Sequence, residues 1–166
     1  MTICIWAAIH TSCVHSSPSG FWLDFNEKYQ TNHINNQGPW GGIRVIHWKS
    51  EVEKFDKNQI IEFAKANGWL FKSDTTFKSY LTQTWLSNNK SIFPLYWKGF
   101  IPMPDNSIHS EFERFPRWIS GNINVLSFNT NFISINLETQ ETILINGFII
   151  LNEQQSEMTL YHNWGE

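Results

Sequence analysis

The spacing of apolar residues changes along the chain, and the change predicts where helix gives way to strand. Between Phe55 and Trp69, the residues Ile60, Phe63 and Ala64 fall on one stripe with Ile61 beside it, the three-and-four spacing of a helix with one buried face. Both ends of this helix are marked. Asp56 can accept from the free amides of the first turn, and Gln59 can reach back to the cap amide, a D-x-x-Q capping box with Phe55 and Ile60 as its hydrophobic staple. Gly68 can take the left-handed conformation that closes the last turn, leaving Trp69 to fold back on Phe63 or Ala64. The expected helix covers 57–66.

Around it the pattern reads as strands and loops. Ile43 to Lys49 alternates as a strand, with Ile43, Val45 and His47 on one face and Arg44, Ile46 and Trp48 on the other. Trp69 to Lys72 reads as the strand leaving the helix. Phe21 to Gln30 has no clear period, and Thr31 to Gly42, rich in Asn, Gly and Pro, reads as a loop with Trp40 at its tip. From Asp74, Phe77, Tyr80, Leu81 and Trp85 recur at helical spacing and predict a second helix, against four threonines that lower its propensity. Pro94, Pro102 and Pro104 make 92–104 an apolar loop.

From Gly121 the period becomes two. Ile123 to Phe128, Phe132 to Leu137, Thr142 to Leu151 and Met158 to His162 are four runs of strand-forming residues with short polar connections. Ile133, Ile135 and Leu137 should face inward and Ser134 and Asn136 outward, with a bulge at Asn146-Gly147. The expected fold is α+β: a single domain, 21–166, whose mainly antiparallel sheet ends in a C-terminal β-meander and packs on one main α-helix.

Composition narrows the function classes. A chain of 166 residues is single-domain in size, and a net charge of −3 with scattered Lys and Arg offers no basic run for nucleic acid or an anionic membrane. Nine Trp and thirteen Phe suit either a core or a recognition surface. Both cysteines, Cys4 and Cys13, are near the start, so the rest of the chain has no thiol for a disulfide, a Cys zinc site or a Cys nucleophile.

Those cysteines direct attention to the N-terminus. Met1 to Ile9 is an apolar run too short to span a bilayer; Thr11-Ser12-Cys13 then places small residues before a cysteine, and Val14 to Gly20 follows as a polar tether. This arrangement resembles the processing site of bacterial lipoproteins, although no Lys or Arg precedes the apolar run and His10 stands where that class usually has Leu. The resemblance implies that 1–12 is a signal segment, that Cys13 carries lipid, that 13–20 is the tether, and that the domain faces the periplasm. A cleaved secretory signal and a buried first strand are the alternatives.

Catalytic motifs are scarce. There is no Gly-rich phosphate loop, no G-x-S-x-G elbow and no H-E-x-x-H helix, and no cofactor is implied. On a strand His109, Glu111 and Glu113 would share a face and form a polar cluster, but a solvated face explains the same period-two pattern, so no metal is assigned. His47 with Glu51 and Glu53 is a second acid and base grouping that structural contacts also explain. Trp40, Tyr96, Trp97, Trp118 and Trp164 lie in Gly, Pro or Asn-rich surroundings or at the chain end, as candidates for an exposed binding surface. Three functions follow: a non-catalytic envelope protein that holds another protein, as bacterial immunity proteins do; a carbohydrate or peptidoglycan binder; or a hydrolase working through carboxylates and histidine. Another protein is the expected partner and glycan the alternative, with membrane contact only through Cys13.

Overall fold

The computed structural model describes residues 18–78, 86–87, 90–91, 119, 121–135 and 140–165. Two 3₁₀ turns, Gly20–Asp24 and Glu27–Tyr29, lead into strands β1 (Gln30–Gln37) and β2 (Gly41–Lys49). Helix α1 (Lys57–Ala66) follows, then β3 (Leu70–Phe77), the short pair β4 (Leu86–Ser87) and β5 (Lys90–Ser91), and β6 (Ile123–Asn129). The chain ends with β7 (Ser134–Ile135), β8 (Thr142–Ile143), β9 (Gly147–Asn152) and β10 (Glu157–Gly165). The main sheet runs β1-β2-β10-β9-β6-β3 with antiparallel neighbours throughout, and β7 and β8 form a hairpin beside its β10 end. This is an α+β fold, mostly strand, with one α-helix on the sheet among the described residues.

The sheet is apolar on both sides, so its central strands read as continuous apolar runs. One face carries Ile46, Trp48, Leu126, Phe128, Ile149, Leu151, Met158 and Leu160 and packs on Ile60 and Ala64 of α1. The other joins Val45, Val125, Phe148, Ile150 and Tyr161 to Ile119 and Ile123. Alternation along β2 divides the strand as expected: Ile43 and Val45 to the second face, Ile46 and Trp48 to the helix face.

Local signals place α1 where the sequence predicts it. The Gln59 amide donates to Asp56 Oδ1 at 2.9 Å, and Phe55 and Ile60 are buried in the same cluster. At the other end Trp69 N donates to the Ala64 carbonyl and Gly68 N to the Lys65 carbonyl, with Gly68 at φ +86°, the paired bonds of a Schellman stop. A Lys57 to Asp74 ion pair of 2.7 Å then ties the helix to β3.

Trp22, from the first 3₁₀ turn, is the centre of the helix-side core. Its ring centroid lies 5.2 Å from that of Phe63 in α1, 5.5 Å from Trp69, 6.4 Å from Trp48 in β2, and 5.4 and 5.5 Å from Phe21 and Phe25. Trp48 Nε1 donates to the Phe25 carbonyl at 2.7 Å. Ser19 and Gly20 are also buried, so the packed domain includes the last two residues assigned to the tether.

Four local expectations are corrected. Residues 31–37 are a strand, because β1 pairs along β2 from Gln30↔Trp48 to Gln37↔Gly42 and packs half-buried Ile34 against the second face; only 38–40 remain as the turn. Asp74 to Phe77 continue β3, paired with Leu126 to Ile123, so no helix begins at Asp74; β-branched Thr75 and Thr76 suit a strand. The 142–151 run breaks into β8 and β9 around buried Asn146. Around β7 the inward side is reversed: Ser134 is buried, held by Asn163 Nδ2 at 2.7 Å, and Ile133 is exposed.

Because Ile60 is fully buried, Ile60→Ala is expected to lower unfolding stability by about 2 to 5 kcal/mol, and Trp22→Ala by about 3 to 5 kcal/mol. Lys57→Ala, losing only a partly exposed ion pair, should cost less than about 1 kcal/mol. Urea midpoints of the three variants test this order; equal midpoints would refute the placement of the core.

A candidate site at one end of the sheet

Strand register collects polar side chains at the end of the sheet where β2 starts and β10 finishes. Across β2 and β10, Arg44 stands opposite His162 and Gly42 opposite Trp164; on the far side of β10, Gly147 stands opposite His162. Alternation puts all five positions on the helix face, beyond Ile46 and Leu160. Both glycines are required by close approach. A Cβ on Gly42 would lie 2.6 Å from the Trp164 ring, and one on Gly147 2.5 Å from the Trp69 ring. Those indoles therefore lie across glycine backbone and flank the His162 ring, with centroids 4.9 Å away for Trp164 and 5.0 Å for Trp69.

The hydrogen bonds of His162 define its proton. Asn146 Nδ2 donates to the Phe132 carbonyl at 2.9 Å, which orients the amide so that its Oδ1 accepts from Thr130 Oγ1 at 2.8 Å. With the single hydroxyl proton so used, the 3.1 Å contact between Thr130 Oγ1 and His162 Nε2 requires Nε2–H as donor. His162 Nδ1 is thereby left as a bare acceptor, and it has no hydrogen-bond partner.

Beside it lies a buried cation. Arg44 has no solvent exposure, and its Nε, Nη1 and Nη2 all lack a hydrogen-bond partner. None of the ion pairs among the described residues includes it. Burial pushes the Arg44 pKa down from its ordinary value, but a guanidinium starts so high that it stays charged. An unpaired buried ion costs on the order of several kcal/mol, so this side chain is at odds with its surroundings. Burial first, and then the Arg44 charge, lower the pKa of His162 to about 3; the same causes lower that of His33 on β1.

Around the polar cluster several apolar side chains are exposed. Among the described residues the exposed large apolar side chains are Trp40, Val52, Leu70, Phe132, Ile133, Leu144 and Ile145. All but Val52 lie at this end of the sheet, whose backbone brings several together: Gly165 N donates to the Ile133 carbonyl, and a Cβ on Gly165 would meet the Trp40 carbonyl. Trp40, at the tip between β1 and β2, is 76% exposed.

Of the residues singled out in the sequence, Trp40 is exposed, whereas Trp164 is buried because Gly42 leaves room for its indole. Cys13, Tyr96, Trp97, Trp118, His109, Glu111 and Glu113 lie outside the described residues. His47 and the nearby carboxylates do not form a site: His47 Nδ1 pairs with Thr159 Oγ1 at 2.8 Å, and Glu53 binds Lys28 at 2.9 Å. Sequence reading missed Thr130, Asn146 and His162. Arg44 alone left a signal, a charge on the same face of β2 as Ile46 and Trp48. Among the described residues no group of His, Cys, Asp and Glu could hold a metal ion. The chemistry on offer is recognition by a fixed cation and apolar surface.

Two buried histidines among the described residues, His47 and His162, set an acid dependence. Burial is the main cause that lowers His47 to about 4 and His162 to about 3, below the unfolded value of 6.5. Between these values the unfolded chain binds protons that the folded chain refuses, so stability is complete above pH 6.5 and falls as pH drops toward 4 and 3. Each histidine contributes a slope of up to about 1.4 kcal/mol per pH unit. His162→Gln should flatten the fall between pH 6.5 and 5 in urea titrations; an unchanged slope would show that His162 protonates in the folded state.

Comparison with protein families, with curated proteins and with solved structures finds no match to this chain.

Proposed function

We propose that this is a non-catalytic binding protein of the bacterial cell envelope that holds another protein against the apolar end of its sheet. The observation that carries this reading is the gathering of Trp40, Phe132, Ile133, Leu144 and Ile145, all exposed, around the β1–β2 tip and the β7–β8 hairpin. Exposed apolar side chains grouped in this way mark interaction surfaces, and large rings among them are the usual anchors. The envelope address rests on the lipoprotein-like sequence before Cys13. Mass spectrometry of the detergent-extracted protein should find a chain beginning at a lipid-modified Cys13; a product that still begins at Met1 refutes the address.

A photo-crosslinking residue tests the surface. Placed at Leu144 in the producing cell, it should give one discrete adduct, lost when Trp40→Ser is added. Placed at Val52, exposed at the opposite end of the sheet, it should give none. Trp40→Ser is expected to weaken the complex about 30-fold, as loss of an anchor worth about 2 kcal/mol, without changing the unfolding midpoint. Absence of an adduct at Leu144, or the same adduct from both positions, overturns the reading.

One observation favours a glycan as the alternative ligand: Trp40 is a free-standing ring near exposed Asn36 and Gln37, which suits stacking on a sugar with amide hydrogen bonds beside it. In that case Trp40→Ser abolishes binding to cell-wall sacculi and Leu144→Ser does not.

A further inference from the structure

We propose that Arg44 anchors a binding site for a small oxyanion, a carboxylate or a phosphate group, enclosed at the polar end of the helix face. The guanidinium is fully buried, and all three of its nitrogens lack a partner. It presents a planar fork of five donors, the geometry that takes two oxygens of one carboxylate or phosphate. Its charge cannot be removed by deprotonation, so an anion is the chemistry that satisfies it.

The neighbours fit this role. Opposite Arg44 the strands bring His162 on β10 and Asn35 on β1, both uncharged at neutral pH, and His33 lies two positions along β1 on the same face. No carboxylate of the described residues pairs with the guanidinium, so no fixed negative charge among them competes with a ligand. Thr130 and Asn146 hold the His162 ring by Nε2, keeping Nδ1 free to accept from a protonated ligand oxygen. Complete enclosure of Arg44 restricts the ligand to a small group and excludes a polymer backbone. Phe132, 43% exposed, stands with its ring centroid 6.2 Å from that of His162. The site adjoins the apolar rim at Phe132 but needs no macromolecular partner.

Thermal unfolding of the full chain, titrated at pH 7.5 and fixed ionic strength with inorganic phosphate and separately with acetate, tests the site. The midpoint should rise with the logarithm of anion concentration above Kd, by about 5 to 10 °C at a hundred times Kd. Arg44→Met should remove the rise, and Arg44→Lys, which keeps the charge without the fork, should raise the Kd fitted to the same titration at least tenfold. A response to phosphate alone assigns a phosphate ligand, to acetate alone a carboxylate, and to both the shared chemistry. If neither anion moves the midpoint, or Arg44→Met responds as the wild type does, the site is refuted. Should Arg44→Met fail to fold, ³¹P line broadening of phosphate and ¹³C line broadening of labelled acetate decide on the wild type and Arg44→Lys. Broadening of either signal by the wild type, reduced in Arg44→Lys, supports the site, and broadening of neither, or equal broadening by both proteins, refutes it. Leu144→Ser, on the apolar rim, should keep the anion response, so failure of the protein-binding reading and failure of this one are told apart.

Discussion

The packing of Trp22 is the constraint on which the arrangement of helix and sheet depends. A helix of ten residues is too short to be stable alone in water and must gain its stability from the face it buries. Here Ile60 and Ala64 join the sheet's core cluster together with an indole supplied by neither helix nor sheet. Trp22 touches rings from α1, from β2 and from the approach to β3, so one side chain joins three elements separated along the chain. The turn that carries it is held by the bond from Trp48 Nε1 to the Phe25 carbonyl. Aromatic rings suit this position because they bury a large area with few rotatable bonds to order.

The polar end of the same face is built on a different principle. Gly42 and Gly147 remove side chains from two strands, and the space is taken by Trp164 and Trp69, which enclose His162. Thr130, Asn146 and His162 are joined in a chain of bonds that leaves His162 Nδ1 open, so the cluster is ordered rather than merely polar. Arg44 is the member left out. A sequence normally agrees with its fold at every level, and a buried charge without a partner is the kind of local conflict that marks a functional position.

The two ends of the sheet also differ in how they meet solvent. Where β2 ends and β10 begins, charged side chains close the edge through Lys49 and Glu157 at 3.1 Å and Lys28 and Glu53 at 2.9 Å. At the opposite end Trp40, Phe132, Ile133, Leu144 and Ile145 are exposed among polar residues such as Asn36 and Gln37. Surface ion pairs of this kind add little stability, but they keep an edge wet and indifferent to partners. An apolar edge leaves that surface with something to gain from contact.

What could be read from the sequence was what is decided over a few residues. The capping residue Asp56, the three-and-four spacing to Ala64 and the stop at Gly68 all act within one or two turns, and α1 lies where they place it. The faces of β2 and the later change to strands were legible for the same reason, since alternation is a property of the strand itself. Strand β1 was not, because Gln30 to Gln37 has little apolar content and becomes a strand only by bonding to β2. Thr75 and Thr76 were drawn into a helical spacing that pairing with β6 overrides. The candidate site was least visible of all. Arg44, Thr130, Asn146 and His162 come from four separate stretches, and only sheet register and the turns around it bring them together. A single sequence records which residues can face inward; which of them meet is decided by hydrogen bonding between strands distant in the chain.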